Sequence, residues 1–267
     1  MKIAGKSDTG LMRKLNEDSI FYLSFELETH ADKIQAGLLA VADGMGGHDA
    51  GEVASALAIR YFCRECLNSL LTARTGPILP IMANAFKEAN DAIIDTAGDA
   101  GLHGMGTTLT AVISIGQDMF VTHIGDSRCY IINQREIMQV TRDHSIVQQM
   151  VDADMITQEE ARKHPRRNEI TRVLGYSRDT SPDLIHIKLF SGDIILLCTD
   201  GLSGVVSDEM IAKTVLTSPD LNQASQELID QANLAGGPDN ISVIMAQPEN
   251  LPSWQAIMDA QTSLRIK

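Results

Sequence analysis

Four aspartates stand where apolar runs meet small or polar turn residues: Leu39-Ala40-Val41-Ala42-Asp43-Gly44, Val121-Thr122-His123-Ile124-Gly125-Asp126, Ile195-Leu196-Leu197-Cys198-Thr199-Asp200-Gly201 and Gly236-Gly237-Pro238-Asp239-Asn240-Ile241. Taken singly, each reads as a hairpin turn, because Asp-Gly and its relatives tolerate positive φ. Four together admit a second reading. Strand ends in adjacent sheets can converge on one edge, and carboxylates gathered there repel one another until they take up protons or recruit cations. Oxygen donors without His or Cys companions suit Mg²⁺ or Mn²⁺, which retain several waters. Glycine beside Asp43 and Asp200 lets the backbone approach closely and lend a carbonyl oxygen. Two such ions acidify a shared water and clamp the oxygens of an in-line phosphoryl displacement. The residues therefore point to metal-assisted hydrolysis.

The elements that must position them are legible as short apolar runs bounded by turn residues: Ile20 to Phe25, Gly37 to Ala42, Thr108 to Ile115, Met119 to Ile124, Cys129 to Ile132, Leu184 to Leu189, Ile194 to Cys198 and Ile241 to Ala246. Between the early strands, Val53, Leu57, Tyr61, Leu67, Leu70 and Leu71 repeat at helical spacing, as do Ile78, Met82, Phe86, Ala89 and Ile93. Further helices are expected around Asp208 to Leu216 and Asn222 to Leu234. Strands joined by short turns, as at Asp118, favour antiparallel sheets over a doubly wound parallel one. From Asp143 to Gly175 the texture becomes polar and short-helical, with a basic island at Lys163-His164-Pro165-Arg166-Arg167.

Composition limits the partners. The 267 residues carry 22 Lys plus Arg against 35 Asp plus Glu, a formal net charge of −13, with 44% hydrophobic residues. The chain is apolar enough to fold, and its charge argues against holding nucleic acid or anionic lipid through bulk electrostatics. No apolar leader opens the sequence and no run approaches membrane-span length, so a cytoplasmic protein is expected. Cys63 and Cys66 form a CxxC inside a helical pattern with no second pair, which reads as buried free thiols rather than a zinc or redox site.

The order Ser7-Asp8-Thr9-Gly10-Leu11-Met12-Arg13, Asn16-Glu17-Asp18 and Ala42-Asp43-Gly44-Met45-Gly46-Gly47-His48 resembles the PPM family, the metal-dependent type 2C protein Ser/Thr phosphatases. Met105-Gly106-Thr107-Thr108, Gly125-Asp126-Ser127-Arg128, Thr141-Arg142-Asp143-His144-Ser145, Asp200-Gly201-Leu202-Ser203 and Gly237-Pro238-Asp239-Asn240 follow in the family's order. The match runs from about Lys6 to Ala246 and is similar to the short bacterial members. It implies an α+β fold, a four-layer α-β-β-α sandwich of two antiparallel sheets flanked by helices with a small helical flap. It implies a phosphatase domain over 1–247, its flap at about 143–175, and a C-terminal extension over 248–267, where Trp254, Ile257 and Met258 hint at a short helix.

The resemblance also implies roles. Asp43 would bridge two Mn²⁺ or Mg²⁺ ions and Gly44 would ligate one through its carbonyl, with Asp200 and Asp239 completing the protein ligands. Asp126, with Asp200, would hold a third, weaker ion, and Asp18 would orient metal-held water from behind. Arg13 would grip phosphate through two oxygens at once; read from the sequence alone, it is equally a surface salt bridge. His48 would be the general acid for the leaving alkoxide, in place of the His that directly follows Asp-Gly in longer members, where this chain has Met45. Arg166 and Arg167 would meet acidic or phosphorylated substrate surfaces. The usual flap carries a Gly where this chain reads Ala153-Asp154-Met155, so a different turn is expected there.

The implied activity is hydrolysis of phosphoserine and phosphothreonine in proteins by a metal-activated water, opposing a cognate Ser/Thr kinase, in a monomer with no nucleic-acid or membrane partner. Two alternatives stay open: a catalytically idle phosphoprotein-binding module, and a phosphatase of a small phosphate ester. Cys129 to Arg135 has the Cys-x5-Arg spacing of thiol phosphatases, but Tyr130-Ile131-Ile132 reads as strand rather than a phosphate-cradling loop. No Gly-x4-Gly-Lys-Ser/Thr is present, so the glycines at Asp43 are not a P-loop.

Overall fold

Residues 38–42 alternate in what they bury: Leu38, Ala40 and Ala42 face one apolar layer, Leu39 and Val41 another. A strand with both faces covered must lie between layers. The computed structural model, which describes residues 1–28, 33–46, 50–71, 77–102, 104–249 and 251, contains that arrangement throughout. In chain order the elements are β1 (Lys2–Asp8), β2 (Asp18–Glu28), β3 (Lys33–Met45), α1 (Ala50–Leu71), α2 (Ile78–Ala100), β4 (Gly106–Thr107), β5 (Leu109–Ile115), β6 (Asp118–Ile124), β7 (Arg128–Ile132), β8 (Ile137–Gln139), α3 (Ile146–Asp152), α4 (Gln158–Lys163), β9 (Asp183–Lys188), β10 (Ile194–Cys198), α5 (Asp200–Ser203), α6 (Asp208–Thr217), α7 (Leu221–Leu234) and β11 (Ile241–Gln247).

Two antiparallel sheets result, one ordered β1-β11-β10-β7-β8 and the other β2-β3-β5-β6-β9, with β4 paired to β3. Leu39, Val41, Val112 and Val121 of one sheet meet Ile131, Ile195, Leu197 and Ile244 of the other in the central layer. On the outside, α1 and α2 cover the second sheet and α5, α6 and α7 cover the first. This is the expected four-layer sandwich, and α3 and α4 lie in the flap. The expected α2 stripe is buried throughout, from Ile78 to Ile93.

Several expectations are corrected. On α1 the fully buried stripe is Ala54, Ala58, Phe62 and Cys66, while Val53, Leu57, Tyr61, Leu67 and Leu70 flank it half-buried. Ala54 and Ala58 let the helix axis approach the sheet, Phe62 fills the space further along the stripe, and Val53, Leu57, Leu67 and Leu70 end up beside it. Cys63 and Cys66 are buried free thiols on that face. None of the four aspartates sits in a two-residue hairpin. Asp43-Gly44 continues β3, Gly125-Asp126 carries the chain from one sheet to the other, Asp200 opens α5, and Asp239 links α7 to β11. Strand β1, with its mostly half-exposed Lys-Ile-Ala-Gly-Lys-Ser-Asp, has no apolar run to announce it. Trp254, Ile257 and Met258 lie outside the described residues.

Candidate metal-binding active site

The antiparallel register of β2 and β3 sets Asp18 directly opposite Asp43. Thr108 holds Asp43 from both sides of its backbone: its Oγ1 accepts from the Asp43 amide at 2.9 Å while sharing a hydrogen bond with the Ser127 hydroxyl, and its own amide donates to the Asp43 carbonyl at 2.9 Å. Thr107 adds a hydroxyl bond to that carbonyl at 2.8 Å. Gly44 donates to Glu17 O at 3.1 Å, and a Cβ at Gly44 would lie 2.0 Å from Gly51 O. Only glycine permits that approach, so the residue that aims Asp43 has a steric reason for its identity.

Asp200 stands at the first turn of α5, directly after β10, and Thr199 before it donates to Asp18 Oδ2 at 2.9 Å. Asp239 is reached by Arg13, whose Nη2 donates to Oδ2 at 2.8 Å. The carboxylate's hydrogen bond raises the guanidinium pKa further. Asn240 braces the Arg13 loop: its Oδ1 accepts from Glu17 N, and its Nδ2 donates to Thr9 O and Leu15 O. The Asp-Asn pair was visible as a motif, but the bracing role required the fold to bring residues 9–17 beside 239–240.

A cleft of about 280 Å³ gathers Arg13, Asp43, Gly44, Asp126, Asp200 and Asp239, with Asn168 and Ile170 of the flap on its other wall. Asp18 lies behind it. Next to it, a cavity of about 80 Å³ shares Asp126, Asp200 and Asn168 and is bordered by Arg167. Arg166 borders neither. Its guanidinium is turned to Glu169, with bonds of 2.8 and 2.6 Å. His48 lies outside the described residues. Sequence alone could not separate two adjacent arginines.

Asp18 Oδ1, Asp126 Oδ1 and Asp200 Oδ1 are buried without a hydrogen-bond partner. Burial above all pushes the carboxyls up: Asp18 to about 7, Asp200 to about 6, and Asp43 and Asp126 well above the usual carboxylate range. Repulsion from neighbouring carboxylates adds to each. Orphaned acceptors in an all-oxygen set fit a hard divalent cation. Among the described residues no three His, Cys, Asp or Glu side chains are placed close enough together to hold a metal ion by themselves. The carboxylates line an open cleft instead, which suits ions that keep several waters.

The sequence model of the family described as Protein phosphatase 2C matches residues 5–241. The chain belongs to the protein phosphatase 2C family. It is similar to the serine/threonine protein phosphatase PstP of Mycobacterium tuberculosis (strain H37Rv), 40% identical over 92% of this chain and 45% of that protein. It thus spans about half the length of that relative. It also resembles the serine/threonine phosphatase stp of Listeria monocytogenes, 31% identical over 91% of this chain and 94% of that one. Among solved structures, the catalytic domain of PstP in complex with two manganese ions superimposes with a TM-score of 0.78 at 39% identity, covering 93% of this chain and 98% of the other. Membership in the protein phosphatase 2C family accords with the oxygen-only cleft, the sandwich and the flap. Among the described residues no helix is long and apolar enough to cross a membrane.

Proposed function

We propose that the chain is a metal-dependent protein phosphatase that hydrolyses phosphoserine and phosphothreonine in proteins, with 1–247 as its catalytic domain and the flap at about 143–175. The observation that carries the reading is the cleft itself, where Arg13 and four aspartates converge and buried carboxylate oxygens lack partners. Asp43, the Gly44 carbonyl, Asp200 and Asp239 would hold two Mn²⁺ or Mg²⁺ ions, and Asp126 with Asp200 a third. Bound there, the cations supply an acidified water and charge neutralisation for in-line displacement at phosphorus.

The chain's own residues do the rest. Asp18, held by Thr199, orients water from behind Asp43 and Asp200. Arg13 is held at the cleft by Asp239 through Nη2, and its guanidinium would take two oxygens of a substrate phosphate. Arg167, exposed at the rim, is the flap arginine free to meet a phosphoprotein, while Arg166 is held by Glu169. His48 is assigned as proton donor to the leaving alkoxide. A cytoplasmic monomer opposing a Ser/Thr kinase completes the proposal.

The test is phosphate release from a phosphothreonine peptide by the purified chain. Release should require Mn²⁺ or Mg²⁺, and Asp239→Asn should lower kcat/KM by about a hundredfold or more, at or beyond the upper range for residues that only support ligands. Full activity in excess chelator overturns the reading. A preference for small phosphate esters over phosphopeptides overturns its substrate class.

A further inference from the structure

Asp126 has a buried carboxylate whose Oδ1 meets no hydrogen-bond partner. Its aim therefore depends on the backbone that precedes it. Gly125 has a φ of +108°, and a Cβ there would lie 2.4 Å from Thr108, so the turn needs glycine and glycine alone leaves it soft. A histidine from the far side of the flap base removes that softness. The His144 amide donates to Gly125 O at 2.7 Å, and the Gly125 amide donates to His144 Nδ1 at 3.1 Å. The two peptide groups flanking Gly125 are thereby both fixed by one residue.

The ring is itself held. With Nδ1 accepting from Gly125, a neutral imidazole carries its proton on Nε2, which faces Asp183 Oδ2 at 3.1 Å. Arg172 fixes that carboxylate in turn, with Nη1 donating to Asp183 Oδ1 at 2.8 Å and Nη2 donating to Ser181 O. The His144 carbonyl accepts from Thr171 N at 2.7 Å, and Ser145 bridges Ile170, the flap residue on the cleft wall. His144 is buried and does not line the cleft.

We propose that His144 is a positioning residue for Asp126, clamping both peptides of Gly125 and tying the base of the flap to the aspartate that borders the cleft. The inference rests on the reading of Asp126 as a ligand of the third, weaker cation. It assigns His144 no contact with substrate.

Mn²⁺ titrations of the full chain by calorimetry test it, with Asp126→Asn marking the phase that belongs to Asp126. His144→Leu should weaken that phase by about tenfold or more, leave the tighter phase in place, and speed hydrogen exchange of the Gly125 amide. His144→Asn places a carbonyl oxygen near the position of Nδ1, and should restore both the phase and the protection of Gly125. A His144→Leu protein that binds Mn²⁺ like wild type overturns the proposal. So does one that loses every phase together, or a His144→Asn protein no better than His144→Leu. If wild type binds Mn²⁺ but no phase responds to Asp126→Asn, the ligand role of Asp126 falls and this inference with it. If wild type binds no Mn²⁺, the functional reading itself falls, and the inference with it.

Discussion

Asp126 and Asp143 border the same small cavity, 17 residues apart in sequence, and meet opposite treatment. Asp143 accepts from Arg128 Nε at 3.0 Å to both oxygens, from Arg128 Nη2 at 2.7 Å and from Gln139. Around it, Asp208 accepts from Tyr130 and Arg162, and Asp183 from Arg172 and His144. On the cleft side, Asp18, Asp126 and Asp200 each keep an oxygen buried and unbonded. The base of the flap thus supplies its acids with cations from the chain. Among the described residues, the cleft aspartates are met by Arg13 on Asp239. Buried acid is structural where the fold answers it, and available for chemistry where it does not.

The same substitution in the two regions should therefore act with opposite sign. Asp143→Asn leaves Arg128, whose side chain is only 16% exposed, with the more distant Asp208 at 3.9 Å as its remaining charge partner, and should cost about 3 kcal/mol of stability. Asp200→Asn removes a repelled carboxylate and should stabilise the metal-free protein by roughly 2 kcal/mol while suppressing activity. Urea unfolding in chelator measures both. Destabilisation by both substitutions to a similar degree would erase the distinction drawn between the regions.

Much of the cleft was legible because its chemistry is written locally: each aspartate follows or precedes an apolar strand and lies beside a small or turn residue. The strands were found for the same reason, since a layer buried on both faces produces near-continuous apolar runs such as Ile194 to Cys198. What was not legible depends on pairing at a distance. His144 stands in one of the motifs that follow the family's order, but its role is not readable until the fold sets it against Gly125. Arg166 and Arg167 diverge only because Glu169 lies within reach of one. Strand β1 and the short α5 carry too little apolar periodicity to be told from loop, and the Asp-Gly pairs favoured turns until packing of the two sheets drew them into β3 and α5.

A pH series sharpens the contrast at intermediate scale. The carboxyls of Asp18 and Asp200 have folded-state pKa values of about 7 and about 6, against 3.8 unfolded. Between pH 4 and their folded values these carboxyls hold more protons in the native state than in the unfolded chain, and Asp43 and Asp126 act in the same direction, so stability falls as pH rises; buried His123 and His144, whose pKa values burial lowers from 6.5, oppose part of that fall. The slope is at most about 1.4 kcal/mol per pH unit for each group. Thermal unfolding of the metal-free chain should show a declining Tm across that window, and saturating Mn²⁺ should flatten it at the upper end by answering the same carboxylates. A Tm that climbs from pH 4 to 7 in chelator would place the repelled charge elsewhere.

The smallest expected effect separates the flap's laced base from its tip. Helix α3 ends with Asp154 N donating to Val151 O at 3.0 Å and Met155 N to Met150 O at 2.9 Å, the paired bonds of a Schellman close. That close demands a left-handed residue, and Asp154 occupies it at a φ of 53°. The turn that a glycine would make is therefore made by an aspartate, which tolerates the left-handed region better than most side chains but not freely. Asp154→Gly should raise stability by about 0.5–1 kcal/mol, and Asp154→Val should lower it by about 1 kcal/mol. Because the exposed tip shares none of the hydrogen bonds that fix Gly125 or Arg128, neither change should move the Mn²⁺ titration or kcat/KM. A shift in metal binding from either variant would show that tip and base act as one body, and that the boundary between the answered acids and the open cleft extends along the whole flap.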